Sequence, residues 1–351
     1  MKFKSLLFFF LPISLFANAS QEPSTVPSMP PKDATRSART CPELNGVYVT
    51  ADFLYWKTRQ DELVYTARFK PVFGDPLTTI DIQPKEINFE YKPGFRIGLG
   101  GDLPWNGWDL YLNWTRLSFD ISSSTSSDSA DLILVTGSLD EIGFFGRRSK
   151  IHWDFTYNSL EFDFGRRMFL DSSWIIRPSF GLKVAWFDQE IHQTLFEVES
   201  FNPNGAGVPG SNETWRGEFD YWGIGPFVSF YGKWHWIYGL GIAGQISGSI
   251  LWYDIDEKVR SLENNLDDQG PQPVVTQTLV RLNFDTYRVR PYVQVFIGLD
   301  WEWCFIPKWL STQFAIGYET QYFWPVVVNP IGSDDIHTSF EGLTVKARID
   351  F

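Results

Sequence analysis

The residues best suited to chemistry in this 351-residue chain are few. There are four histidines, His152, His192, His235 and His337. An imidazole within hydrogen-bond reach of a carboxylate can serve as a general base, and beside a hydroxyl it can drive hydrolysis. His152 and His192, with Asp154 and Glu190 nearby, lie almost level near the outer ends of two neighbouring segments. Both share the parity of the apolar residues of those segments, such as Leu160 and Trp186, so they read as interfacial residues. The acidic stretch from Asp254 to Asp268 lacks the spacing of a calcium loop and reads as solvated. Catalytic residues, cofactor sites and metal sites are therefore not expected, and the protein reads as a non-enzyme.

A second set of charges is regular. Arg96, Arg167, Arg177, Lys183, Arg288, Arg290, Lys346 and Arg348, with Asp109, Glu161, Asp163, Asp300, Glu302, Glu319 and Asp350, sit on alternate positions, opposite apolar residues. Eight bases against seven acids on one face would line an aqueous lumen and bias ion passage, or would pair across a narrow one. Those two alternatives stay open at the level of sequence.

The elements that carry these charges are strands. Trp108-Leu110-Leu112-Trp114 alternates with Asp109-Tyr111-Asn113-Thr115, and Leu160-Phe162-Phe164 with Glu161-Asp163-Gly165. The odd-numbered residues of Val289 to Trp301 are mostly apolar and face Arg288, Arg290, Gln294 and Asp300. A helix cannot sustain a period of two over such lengths. One lipophilic face and one polar or glycine-rich face predict an all-β fold, a closed antiparallel transmembrane β-barrel, because inside lipid every backbone group must be paired. Ten strands are expected, near 46–57, 87–101, 107–119, 155–169, 174–198, 214–231, 235–256, 280–303, 309–324 and 340–351. A hairpin from Glu62 to Phe69 would make twelve. Long outer loops are expected at 58–86, 120–152, 199–213, 257–279 and 325–339, with Ser122–Ser127 a mobile low-complexity stretch. Four short turns each deliver a tryptophan, Trp108, Trp174, Trp236 and Trp309, as half of an aromatic girdle.

The ends fit export. Lys2 and Lys4, the apolar run from Ser5 to Phe16 and Ala17-Asn18-Ala19 form a cleavable signal over 1–19. Residues 20–45, rich in Pro and Ser, read as a disordered periplasmic leader, and 46–351 as the barrel. Leu343, Val345, Ala347, Ile349 and Phe351 alternate to the end of the sequence, and the closing Phe351 is similar to the recognition signal of the barrel assembly machinery. The formal net charge of -12, which becomes -14 without Lys2 and Lys4, argues against nucleic acid as a partner. Cys41 and Cys304 both fall on the oxidising periplasmic side, where a disulfide between them is one possibility.

Ala51-Asp52-Phe53-Leu54-Tyr55-Trp56-Lys57, Gly94-Phe95-Arg96-Ile97-Gly98-Leu99-Gly100 and Gly107-Trp108-Asp109-Leu110-Tyr111-Leu112-Asn113-Trp114 give a more specific lead. Over about Gly46 to Phe351 the chain resembles the major outer membrane protein-like porins of Legionella and Chlamydia-related bacteria. The resemblance implies passive diffusion of small hydrophilic solutes and ions, without cofactor, across the cell outer membrane. The expected partners are outer-membrane lipid, the assembly machinery, those solutes and further copies in a homo-oligomer. The alternative is a structural or adhesive barrel, its lumen largely closed and its surface loops binding partners.

Overall fold

The computed structural model describes residues 46–60, 64–73, 78–104, 107–129, 131–134, 144–170, 173–200, 206–207, 211–237, 239–267, 274–306, 310–328 and 335–351. The signal over 1–19 and the leader over 20–45 lie outside them. The described residues form sixteen strands: β1 Val47–Gln60, β2 Val64–Phe73, β3 Thr78–Glu86, β4 Tyr91–Asp102, β5 Trp108–Ser126, β6 Leu132–Leu134, β7 Phe144–Phe145, β8 Arg148–Arg166, β9 Met168–Phe169, β10 Trp174–Ser200, β11 Ala206–Gly207, β12 Ser211–Ile237, β13 Leu240–Asp267, β14 Val274–Ile306, β15 Leu310–Val328 and β16 Asp335–Asp350. Ten of them, β1, β4, β5, β8, β10, β12, β13, β14, β15 and β16, close into one antiparallel barrel in chain order, with β16 returning to β1. The expected ten-strand barrel is the observed one.

Register fixes the barrel's dimensions. Starting at Leu299 on β14, paired residues run Ile316, Val345, Phe53, Phe95, Arg116, Asn158, Trp186, Trp222 and Asp254, and return to β14 at Tyr287. The circuit comes back 299 minus 287, or 12, residues displaced. Ten strands with that stagger tilt by about 40° and enclose a backbone cylinder of radius about 10 Å. Side chains from opposite walls can meet across such a bore.

Glycines on the inner face make room for rings. A Cβ on Gly98 would lie 2.5 Å from Tyr111 Oη and Thr50 Oγ1, and one on Gly100 would overlap the Tyr48 ring. Tyr48 and Tyr111 stack with centroids 5.8 Å apart. Gly98→Ala should therefore destabilise the barrel by about 1–3 kcal/mol, as overpacking does. Gly101→Ala, whose Cβ meets only Gly46 O at 3.9 Å, should be neutral. The temperature at which the compact form is lost on electrophoresis reads both; equal values for the two variants would contradict the ring-clearance account.

Three sequence expectations need correction. The additional hairpin exists, but β2 and β3 pair with β6 in a separate three-stranded sheet, so they do not widen the barrel to twelve. Ser122–Ser126 is no loop: it is the end of β5, paired in register with β8 from Ser122↔His152 to Ser126↔Arg148. The short turn expected to deliver Trp236, between strands ending at 231 and starting at 235, is not there: Gly232–His235 are part of β12. The reversal lies between Ile237 and Leu240, where Gly239 takes φ +79. Most of the expected long loops are likewise strand, so the sheet runs well beyond its apolar band.

That extension has its own hydrophobic logic. On β8 the outward residues Phe164, Phe162 and Leu160 give way to Thr156, Asp154 and His152, while the inward ones change from Asp163 and Glu161 to Tyr157, Phe155, Trp153 and Ile151. On β13 outward Ile242, Ile246, Ile250 and Trp252 are followed by Asp254 and Asp256, opposite inward Tyr253 and Ile255. The alternation keeps its parity but swaps its chemistry. Below the swap the barrel is built for lipid; above it, for water outside and a dry core within.

Candidate functional site

The lumen has two storeys. The one nearer the short turns is polar, assembled from alternate residues of neighbouring strands. Arg96 on β4 donates from Nη2 to Glu319 Oε1 at 2.7 Å, from Nη1 to Asp52 Oδ2 at 3.2 Å and from Nε to Thr115 Oγ1 at 3.0 Å. Lys183 pairs with Glu161, which also accepts from Asn113 at 3.1 Å, and its Nζ stands 4.1 Å from the centre of the Tyr292 ring. Arg177 bridges Asp109 and Asp163, and Arg167 reaches Asp102 and Asp109. Lys233 contacts Asp300 and Glu302, while Arg348 lies over Tyr48 and pairs with Asp350. Lys346 Nζ sits 3.8 Å from the Phe296 ring centre and 3.5 Å from Gln245 Oε1. Charges so enclosed are stable only when paired and hydrogen-bonded. Between them remains a cavity of about 230 Å³.

The second storey is aromatic. Trp56, Phe119, Tyr157, Phe187, Tyr221, Tyr253, Tyr292, Phe323 and Phe340 are all nearly fully buried and come from β1, β5, β8, β10, β12, β13, β14, β15 and β16, nine of the ten barrel strands. Their contacts cross the bore. Tyr157 on β8 meets Phe323 on β15 at 5.6 Å and Phe340 on β16 at 4.9 Å, and Phe187 on β10 meets Phe323 at 5.0 Å. Phe323 also packs on Tyr292 at 4.6 Å, and Phe119 on Phe340 at 6.1 Å. These are the offset and edge-on distances of attractive ring pairs.

A sequence profile of the family described as the Legionella pneumophila major outer membrane protein precursor matches residues 40–351. The chain belongs to that family. It is an outer-membrane protein. No protein of curated function matches the chain. Among solved structures, the toluene transporter TodX of P. putida aligns over 90% of this chain and 94% of its own at 7% identity, with a TM-score of 0.31. A Pseudomonas aeruginosa FadL homologue aligns over 87% and 90% at 8% identity, with a TM-score of 0.27.

In this outer-membrane protein thirteen of the expected lumen charges, Arg96, Asp109, Glu161, Asp163, Arg167, Arg177, Lys183, Asp300, Glu302, Glu319, Lys346, Arg348 and Asp350, meet in the polar storey. Arg288 and Arg290 stand apart from them, on the outer side of Tyr292 and paired in register with Tyr253 and Leu251. Sequence reading missed Asp52, Asp102 and Lys233, and also His235, whose Nε2 lies 3.2 Å from Glu302 Oε2. It missed Lys233 and His235 because Gly232–His235 was read as a turn. Parity continued from Trp222 would have placed both inside.

The girdle is double. Trp174 and Trp186 on β10, like Trp234 and Trp222 on β12, point outward twelve residues apart. With the strand tilt that spans about 30 Å of membrane normal. Trp108 stacks on Phe164 at 4.4 Å, and Trp236 is among the most exposed large residues at 69%. Trp309 and Cys41 lie outside the described residues, as does the side chain of Cys304, so the girdle and disulfide expectations for them do too. Phe351 donates its N–H to Val47 O at 3.0 Å, beside the seam where β16 closes on β1.

Proposed function

We propose that this outer-membrane protein is a barrel closed to free diffusion, whose outer half is a rigid turret that presents surface loops. One observation carries the reading: the aromatic storey is built from the wall itself, with rings from opposite strands in contact. A plug made of a loop can swing aside, whereas these rings leave the bore only if strands part. Small barrels of this girth fill their interiors with side chains, and the charge pairs below follow the same rule. Planar bilayers containing the purified full chain should stay silent while the protein keeps its compact, heat-modifiable form on electrophoresis. Discrete conductance steps from that folded form would overturn the reading.

The porin reading is favoured by the polar cavity, which is lined by Asp52, Arg96, Glu161, Gln294, Lys346 and Arg348 among others. Small hydrophilic solutes entering from the periplasm would find a charged, wettable vestibule there. Passage beyond it requires the rings to yield, so this reading predicts conductance in the bilayer experiment and the first reading does not.

A further inference from the structure

We propose that the outward surface of β5 and β8, above the lipid-facing band, is a site for a divalent transition-metal ion, bound by Asp120, His152 and Asp154. One ligand atom from each of the three lies within 4.8 Å of the others. Asp154 Oδ2 is 2.9 Å from His152 Nε2, Asp120 Oδ1 is 3.6 Å from Nδ1, and Ser122 Oγ is 2.9 Å from Nδ1. The ladder sets this geometry: Asp120 is paired with Asp154, and Ser122 with His152. On the far side of β8, His192 is paired with His152 and Glu190 with Asp154, so a second imidazole stands on the same outward face of the adjacent strand.

Like charges directly opposite in a ladder repel one another, and a cation between Asp120 and Asp154 removes that repulsion. One imidazole nitrogen with carboxylate oxygens suits zinc, manganese, nickel or copper, whereas calcium and magnesium take all-oxygen sets. The side chains are 74%, 41% and 51% exposed for Asp120, His152 and Asp154, which leaves coordination positions open to water. Height agrees with this. Trp114 and Leu160 end the apolar outward run on β5 and β8, and Asp120 and Asp154 lie six residues beyond them, about 15 Å along the membrane normal. Ser122, His152 and Asp154 also form a hydroxyl–imidazole–carboxylate line. The backbone N–H groups around it are committed to the flanking strands, so an oxyanion would lack the donors that acyl transfer needs.

Zinc titration of the folded, detergent-solubilised full chain after chelator treatment tests the site. The expected result is one zinc ion per barrel, undisturbed by a hundredfold excess of calcium. Affinity should fall by about tenfold or more in His152→Ala and in Asp154→Asn, and should be unchanged in His337→Ala, which alters the imidazole beside Tyr322. Retention of the compact form on electrophoresis checks that each variant is folded. Absence of stoichiometric zinc in the unaltered protein, displacement of zinc by calcium, or wild-type affinity in folded His152→Ala would each overturn the proposal.

Discussion

Replacing Phe323 and Phe340 together by alanine should turn a silent barrel into a conducting one. Phe340 touches Trp56, Phe119, Phe155, Tyr157 and Phe323, and Phe323 touches Tyr157, Phe187 and Tyr292. Removing both rings takes out the two knobs that reach from β15 and β16 to the opposite wall. Each truncation costs about 3–5 kcal/mol by transfer and cavity terms, so Phe340→Ala alone is the milder arm and should give smaller or briefer conductance events. Water can then connect the polar storey to the outer rim. Recordings in planar bilayers, made on protein that still migrates as the compact form, measure the effect. A folded double variant that stays silent would mean that the rings are not what closes the lumen.

Arg96→Met should be the most damaging single change in the polar storey. The guanidinium satisfies both Glu319 and Asp52, whose side chains are 0% and 6% exposed, and its loss leaves two buried carboxylates to share the charge of Lys346, which sits on Phe296 and Gln245. Removing one partner of a buried charge cluster costs about 3–5 kcal/mol. Restoring neutrality with Asp52→Asn should recover most of that, since Glu319 then balances Lys346 and the amide carries no charge. Urea unfolding in lipid vesicles, followed by tryptophan fluorescence, gives both values. A single variant as stable as the parent, or a double variant no better than the single, would show that the network is not a stabilising unit.

Strand count, closure and the inward position of most charges were legible because all three follow from parity, which a two-residue period preserves along a whole strand. Arg96, Glu161 and Lys183 were placed inside by that alone. The aromatic storey was not found because alternation was read with one fixed meaning, apolar toward lipid. The clue was in the sequence nonetheless. Trp186-Phe187-Asp188, Asp220-Tyr221-Trp222 and Trp252-Tyr253-Asp254 each set an outward tryptophan beside an inward ring and an outward carboxylate. Each marks where a strand leaves the hydrocarbon. The β2–β3 hairpin's place off the barrel was not legible, since its pairing with β6 depends on residues far away in the chain. The contacts of His152 were hidden for a related reason: Asp120 comes level with it only through the β5–β8 register.

Those tryptophan–carboxylate steps also pin the molecule vertically. Were the barrel to sink by two residues of strand, Asp188, Asp220 and Asp254 would enter the hydrocarbon while the tryptophans beside the short turns lost their interfacial seat. A rise of the same size would lift Trp186, Trp222 and Trp252 into water and draw the lower girdle into the acyl chains. Either excursion is opposed on several strands at once, so the membrane holds this protein at one fixed elevation, and whatever its summit meets is met at a set distance from the lipid.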